Sequence, residues 1–318
     1  MKKALDGTIA LVAGATRGAG RGISLALGEL GATVYCSGRS VRGALASGDS
    51  RPETIEETAE LVTARGGKGI AVRCDHTVAS EVATLMARIR DEQGRLDVLV
   101  NDVWGGDALT AWGTPFWEQP LENGLLMIDR AVKSHIITSH HALPLMVESR
   151  GRLLVEVTDG DSLYYRGNFY YDLVKTTVIR LALGQAYELR KHGIAALAVT
   201  PGFLRSEAML DLFGVTEETW RDAAKKDKHF LASETPLYVG RAVAALAADP
   251  DVMKKTGRVT SSWELSEQYG FTDADGAKPH WGRYYEETFG APLPRLDGAF
   301  YASVFKGPFD TALAAPSG

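Results

Sequence analysis

Short apolar runs alternate along the chain with longer segments whose apolar residues recur every three to four positions. The stretches "TIALVAGA" (8–15), "TVYCSG" (33–38), "GIAVRCD" (69–75), "LDVLVND" (96–102), "GRLLVEV" (151–157) and "IAALAVTPG" (194–202) read as strands. Between the early strands, "AGRGISLALGELGA" (19–32), "PETIEETAELVTARGG" (52–67) and "SEVATLMARIRDEQG" (80–94) read as helices. In the second helix Ile55, Ala59 and Val62 share a face, and Gly66 and Gly67 stop it. Strands this apolar belong in a parallel sheet covered by helices on both faces, and the alternation predicts a doubly wound α/β fold with a mostly parallel sheet. Ligands in such folds bind beyond the carboxyl ends of the strands, so chemistry is expected just after each one.

Two stretches look added to this core. "SVRGALASGDSRP" (40–52) is a Gly/Ser-rich loop of the length that often carries function. From about Tyr269 the chain is rich in Gly, Pro and aromatics with little periodicity. Residues 1–268 are therefore expected to form one domain, and 269–318 an extended tail packed on it or on a partner subunit. The formal net charge of -5 offers no basic excess for a nucleic-acid backbone. Two cysteines, Cys36 and Cys74, make no disulfide framework and fit a reducing cytoplasm. The opening "MKKALDGTIALVAGA" reads as a first strand rather than a signal peptide, since its apolar run leads into glycines and not a cleavage site. No run approaches the ~18 to 20 apolar residues of a membrane span.

The first strand runs into "AGATRGAG", where Gly14, Gly18 and Gly20 mark a strand-to-helix turn. Such a turn lets a pyrophosphate approach backbone N–H groups at a helix N-terminus. With Thr16 and Arg17, these glycines form the candidate cofactor cradle. The second strand ends in "SGR", without the acidic residue that selects NAD at this place. Arg39 and Arg17 are placed to clamp a 2′-phosphate, which favours NADP(H) over NAD(H); the plainer reading is two solvated arginines.

The chain resembles the classical short-chain dehydrogenase/reductase family, with a Rossmann-like fold. The resemblance is carried by "GATRGAG" (14–20), Cys74–Asp75, "VNDVWGG" (100–106), "YDLVK" (171–175) and "PGFLRS" (201–206), in the family's order, over roughly residues 6 to 265. "GRVTSSWELSEQYGFTDADG" (257–276) resembles a branch with an extended C-terminal end. The resemblance implies that Asp75 contacts the adenine ring and that Asn101 holds the cofactor-binding edge of the sheet. It implies a backbone role near Val103, and a nicotinamide-carboxamide site lined by Pro201, Gly202 and Ser206. It also implies a homodimer or homotetramer built through the central helices.

Tyr171 and Lys175 stand four apart and share one face of a helix. A nearby ammonium lowers the tyrosine pKa, making it a usable proton donor and acceptor, and the lysine can also hold the nicotinamide ribose. Alone the spacing is a common coincidence; with the glycine loop and "PGFLRS" in register it reads as catalytic. The tyrosines Tyr164, Tyr165 and Tyr170 lack such a lysine and read as pocket wall or packing. The family places a serine thirteen residues before the tyrosine. That count, and alignment of the strand from Gly151, give Thr158, with Asp159 as the rival. Thr158 is favoured because only a donor stabilises negative charge on a carbonyl oxygen, whereas a carboxylate would suit an alcohol or hydroxyl-bearing substrate. Ala131 falls where the family has a relay asparagine. His135, His140 and His141 lack ligand-spaced Cys or carboxylate partners, so no metal is expected and surface or interface roles are read for them.

Met209, Leu210 and Phe213 have spacing suited to an apolar lid, and Trp104, Trp112, Phe116 and Trp117 follow the fourth strand. A hydrophobic carbonyl compound is the expected small-molecule substrate, although these aromatics could equally pack the tail or an interface. The leading expectation is an NADP-dependent reductase or dehydrogenase. The alternative, prompted by Ala131 and the missing serine, is a non-catalytic dinucleotide-binding sensor or scaffold.

Overall fold

A computed structural model describes residues 2–44, 51–161 and 165–289. The elements alternate as β1 (Ile9–Ala13), α1 (Gly18–Glu29), β2 (Thr33–Gly38), α2 (Ile55–Ala64), β3 (Lys68–Arg73), α3 (Ala79–Gln93), β4 (Val98–Asn101) and α4 (Leu121–Ile128). A π turn (Asp129–Lys133) joins α4 to α5 (Ser134–Glu148), followed by β5 (Leu153–Val157), α6 (Phe169–Leu189) and β6 (Ala195–Thr200). The chain continues with α7 (Glu207–Phe213), α8 (Pro236–Ala248), β7 (Val259–Ser261), α9 (Ser262–Tyr269) and α10 (Trp281–Phe289).

The seven strands are all parallel, in the order β3-β2-β1-β4-β5-β6-β7. Successive side chains leave opposite faces, and both faces are buried. Ala10, Val12, Val34, Val100 and Val155 pack against Ile23 and Leu27 of α1 and Val239 and Val243 of α8. Ile9, Leu11, Tyr35, Leu99 and Leu154 pack against Val82, Leu85 and Ile89 of α3, Leu145 of α5 and Leu189 of α6. This two-sided burial is why the inner strands read as largely apolar runs; β3, at the edge, is only half-buried. The winding direction reverses between β1 and β4, where Ala13 lies beside Asn101. Asn101 in turn lies beside Glu156, so the ends of β1, β4 and β5 line one edge of the sheet. That crevice is where a doubly wound sheet receives its ligand.

Several boundaries and two elements differ from the sequence expectation. The second helix begins at Ile55 because the Thr54 hydroxyl caps it, accepting from the Glu57 N–H at 3.3 Å. β7 extends the sheet where no strand was read. Residues 281–289 are helical where an extended tail was expected: Trp281 packs on Phe203 and Tyr284 meets His229, so the segment is held by aromatic contacts. Residues 45–50 of the 40–52 loop and residues 290–318 of the C-terminal extension lie outside the described residues.

Candidate active site

Three elements position the catalytic candidates. β5 ends at Val157 and delivers Thr158 and Asp159 to the crevice. Asn168 caps α6, its side-chain oxygen accepting from the Tyr171 N–H at 3.1 Å, while its amide donates to the Ala111 carbonyl at 2.9 Å. Tyr171 and Lys175 then follow one turn apart on α6. The Tyr171 hydroxyl donates to Asp159 Oδ2 at 2.8 Å. Thr158, favoured from the sequence, is turned away: its hydroxyl donates to the Lys175 carbonyl at 2.8 Å and the residue is buried. Arg166 anchors the same loop, donating to the Asp159 carbonyl at 2.5 Å and to Asp172 at 2.8 Å. Burial, then the charge and hydrogen bond of Asp159, raise the Tyr171 phenol well above its ordinary value. This is opposite in direction to the lowering expected from Lys175 alone, because burial of the phenol and the neighbouring carboxylate both oppose a new negative charge.

Lys175 Nζ sits 4.2 Å from the centre of the Trp104 ring, a cation–π contact. Trp104 and Trp112 flank the Tyr171 ring at 5.4 and 5.2 Å. Burial lowers the Lys175 ammonium pKa against the opposing pull of Asp159 and Asp102. Asp102, half-buried beneath it, is pushed up to about 7 by burial. A small cavity lies under Lys175, lined by Asp102, Ala131, His135 and Val178 among others. Ala131 therefore lines the same cavity as the lysine with an apolar side chain.

His135, one turn further on, is not a surface residue. It is buried, with Nδ1 2.6 Å from Glu156 Oε2 and Nε2 3.1 Å from the Val103 carbonyl. Glu156 Oε1 accepts from Asn101 and Gln185, each at 2.9 Å. Asn101 thus ties β4 to β5 beneath the crevice, and Val103 presents its backbone carbonyl to His135. Glu156 carries a sequence signal that went unread: a carboxylate inside "LLVEV" must be partnered if the strand is buried. His140 is exposed and His141 half-buried, and no cluster of potential metal ligands occurs among the described residues.

The glycine turn fits a dinucleotide. Gly14 has φ +94°, and a Cβ there would lie 2.4 Å from the Asp102 carbonyl oxygen. A Cβ at Gly20 would lie 2.2 Å from the Gly14 oxygen. A Cβ at Gly18, at φ +56°, would meet only Ser206 Cβ, at 3.8 Å, so the α-carbon side of the turn is open. The Thr16 carbonyl accepts from Arg21 at 3.1 Å. Arg17 lies 3.4 Å from Glu53, and Arg39 lies 3.9 Å from Asp75. Asp75 also caps its own turn, accepting from the Thr77 N–H at 2.9 Å. Arg130, missed in the sequence, stands near Arg39; burial and then the Arg39 charge lower its pKa. On the other wall, the Pro201 carbonyl accepts from Thr200, Gly202 donates to Glu234 at 2.9 Å, and Ser206 caps α7.

The aromatic expectations divide. Met209, Leu210 and Phe213 pack with Phe203, Trp220 and Phe230 in a cluster of their own. Phe116 stacks on Phe169, and Trp117 is 73% exposed. Tyr170 packs with Met127 and Ala131, whereas Tyr165 is 63% exposed and so is not packing. Tyr164 lies outside the described residues.

The short chain dehydrogenase family model matches residues 8–213. The chain belongs to the short-chain dehydrogenase/reductase family, an oxidoreductase family that uses NAD(P), and runs on beyond the matched region. It is 34% identical over 281 residues to human "Dehydrogenase/reductase SDR family member 1", covering 87% of this chain and 86% of that one. It is 28% identical to the "3-oxoacyl-[acyl-carrier-protein] reductase" of Synechocystis sp., covering 80% and 95%. Among solved structures, a short chain dehydrogenase from Mycobacterium thermoresistibile superposes with a TM-score of 0.72 at 23% identity, covering 87% and 92%, a likeness of fold.

Proposed function

We propose that this protein transfers hydride between NADP(H) and a carbonyl or alcohol substrate, with Tyr171 as general acid/base. The carrying observation is the Tyr171 hydroxyl held at 2.8 Å by Asp159, one helical turn from Lys175. NADP(H), when bound, supplies or takes the hydride. Tyr171 keeps its proton at neutral pH, because burial and Asp159 raise its pKa. It therefore begins a reduction in its acid form, the form that can protonate the oxygen of a carbonyl being reduced. Lys175 holds the ribose and places a positive charge beneath the tyrosine. Asp159, rather than Thr158, stands beside the substrate oxygen. A carboxylate there accepts only, so it suits a substrate that carries its own donor, such as a hydroxyl next to the carbonyl. Trp104 and Trp112 supply the apolar wall for a small hydrophobic compound.

For the cofactor, Gly14, Thr16, Arg17, Gly18 and Gly20 form the phosphate cradle, and Asp75, Asn101 and Val103 support the adenine and ribose side. Pro201, Gly202 and Ser206 would hold the carboxamide. Arg17 and Arg39, with Arg130 nearby, favour NADP(H) over NAD(H). Comparing the affinities of NADPH and NADH tests this, and tighter NADH would overturn it. Leu121, Leu125, Ile136 and Leu173 on α4, α5 and α6 are exposed. This apolar surface supports a homodimer or homotetramer through these helices. Neither a nucleic-acid nor a membrane partner is proposed: the charge is acidic, and no described helix is long and apolar enough to cross a membrane. The cysteine reading supports a cytoplasmic protein.

The reading is tested by NADPH consumption over carbonyl compounds with and without a neighbouring hydroxyl, using Tyr171→Phe as control. Ala131, whose side chain offers no polar group beside Lys175, favours a second reading as a dinucleotide-binding sensor. NADPH binding without turnover on the whole panel would select it.

A further inference from the structure

The start of α1 already holds an anion of the chain's own. The Gly18 N–H, the first of the helix, donates to Glu207 Oε2 at 2.8 Å, and Arg21 Nε lies 3.8 Å from Glu207 Oε1. Glu207 opens α7, which follows the "PGFLRS" loop after β6. One turn later, Asp211 of the same helix meets Arg51 at 2.7 Å. Arg51 also pairs with Glu53 at 2.7 Å, the carboxylate that faces Arg17. Two carboxylates spaced i, i+4 therefore hold α7 to neighbouring segments, one at the glycine turn and one at Arg51.

We propose that Glu207 is a further determinant of cofactor affinity: its carboxylate occupies the pyrophosphate position at Gly18 and must be displaced before a dinucleotide binds. This rests on the cofactor reading above. The physical basis is competition for one donor. A helix N-terminus attracts whichever anion reaches it, and a pyrophosphate and a carboxylate cannot share the Gly18 N–H without strong repulsion. The bound cofactor therefore has to turn Glu207 outward, and α7, tethered through the same side chain, shifts with it. Cofactor entry is thereby coupled to the helix beside the substrate loop, and the cost of expelling Glu207 weakens binding.

The test measures the dissociation constant of NADPH, without substrate, for the full chain and for Glu207→Gln and Glu207→Ala, with thermal melting as a check of folding. Inorganic pyrophosphate serves as a second probe of the same position. Removing one charge-assisted competitor should tighten NADPH about tenfold in Glu207→Gln. Pyrophosphate should tighten in the same direction, and Glu207→Ala should match or exceed the effect. Unchanged affinity in folded variants overturns the proposal while leaving the cofactor reading intact. Weaker affinity also overturns it, since Glu207 would then be supporting the bound cofactor. Failure of both the wild-type chain and the variants to bind NADPH removes the cofactor reading and this one with it.

Discussion

Asp159 changes what Tyr171 can do. In a site with a serine here, the tyrosine feels chiefly the lysine; with a carboxylate 2.8 Å away its proton is held more tightly. Replacing Asp159 with Asn keeps the acceptor and removes the charge, so the phenol pKa should fall toward that of free tyrosine. Phenolate absorbance titration, with Tyr171→Phe subtracted as background, checks this, and an unchanged titration would contradict it. The Tyr171–Lys175 pair was readable from spacing and context. The choice between Thr158 and Asp159 was not, since adjacent residues leave a strand end in opposite directions. Only the packing of α6 shows that Thr158 points to the Lys175 carbonyl and Asp159 to the tyrosine.

At the level of elements, α6 depends on its cap. Asn168→Ala should cost about 1 kcal/mol in denaturant unfolding and loosen the turn that carries Tyr171. The loop after β6 depends on Glu234, which is buried between Gly202 and Ser262 and pushed up to about 8 by burial. In the folded chain this carboxyl keeps its proton to about pH 8, whereas unfolded it ionises near its ordinary 4.5. The folded state therefore binds the extra proton across that window. Its stability should fall as pH rises, by up to about 1.4 kcal/mol per pH unit, and level off above it. Glu234→Gln should flatten this part of a pH series of melting temperatures. Six of the strands were legible: five are buried along nearly their whole length and so are largely apolar, while β3, at the sheet edge and only half-buried, still has an apolar centre. β7 was not, being three residues long and partly polar, and α10 was passed over although Trp281, Tyr284, Tyr285 and Phe289 recur at helical spacing, because the Gly- and Pro-rich stretches around it read as irregular chain.

Across the whole molecule, the sheet brings residues far apart in sequence to one edge. The glycine turn after β1, Asn101 at the end of β4, Asp159 after β5 and the Pro201–Ser206 loop after β6 meet around Tyr171 and Lys175. The order of these motifs announced this gathering, since a doubly wound sheet places every strand's carboxyl end on the same side. The buried Glu156–His135 support and the Glu207 contact were not announced, because each joins elements whose separation is set only by the fold. The exposed leucines of α4 and α6 belong to this scale as well: Leu125→Glu should shift an oligomer toward monomer in sedimentation, and a monomeric wild-type chain would contradict the interface. Turnover through Tyr171 is the central claim. The most direct measurement is NADPH consumption over the carbonyl panel by the wild-type chain and by Tyr171→Phe, with NADPH binding measured for both. The expected result is turnover by the wild type and a loss of at least about 100-fold in the variant, with binding retained. Equal rates in the two proteins would contradict it, as would bound NADPH that reduces no compound on the panel.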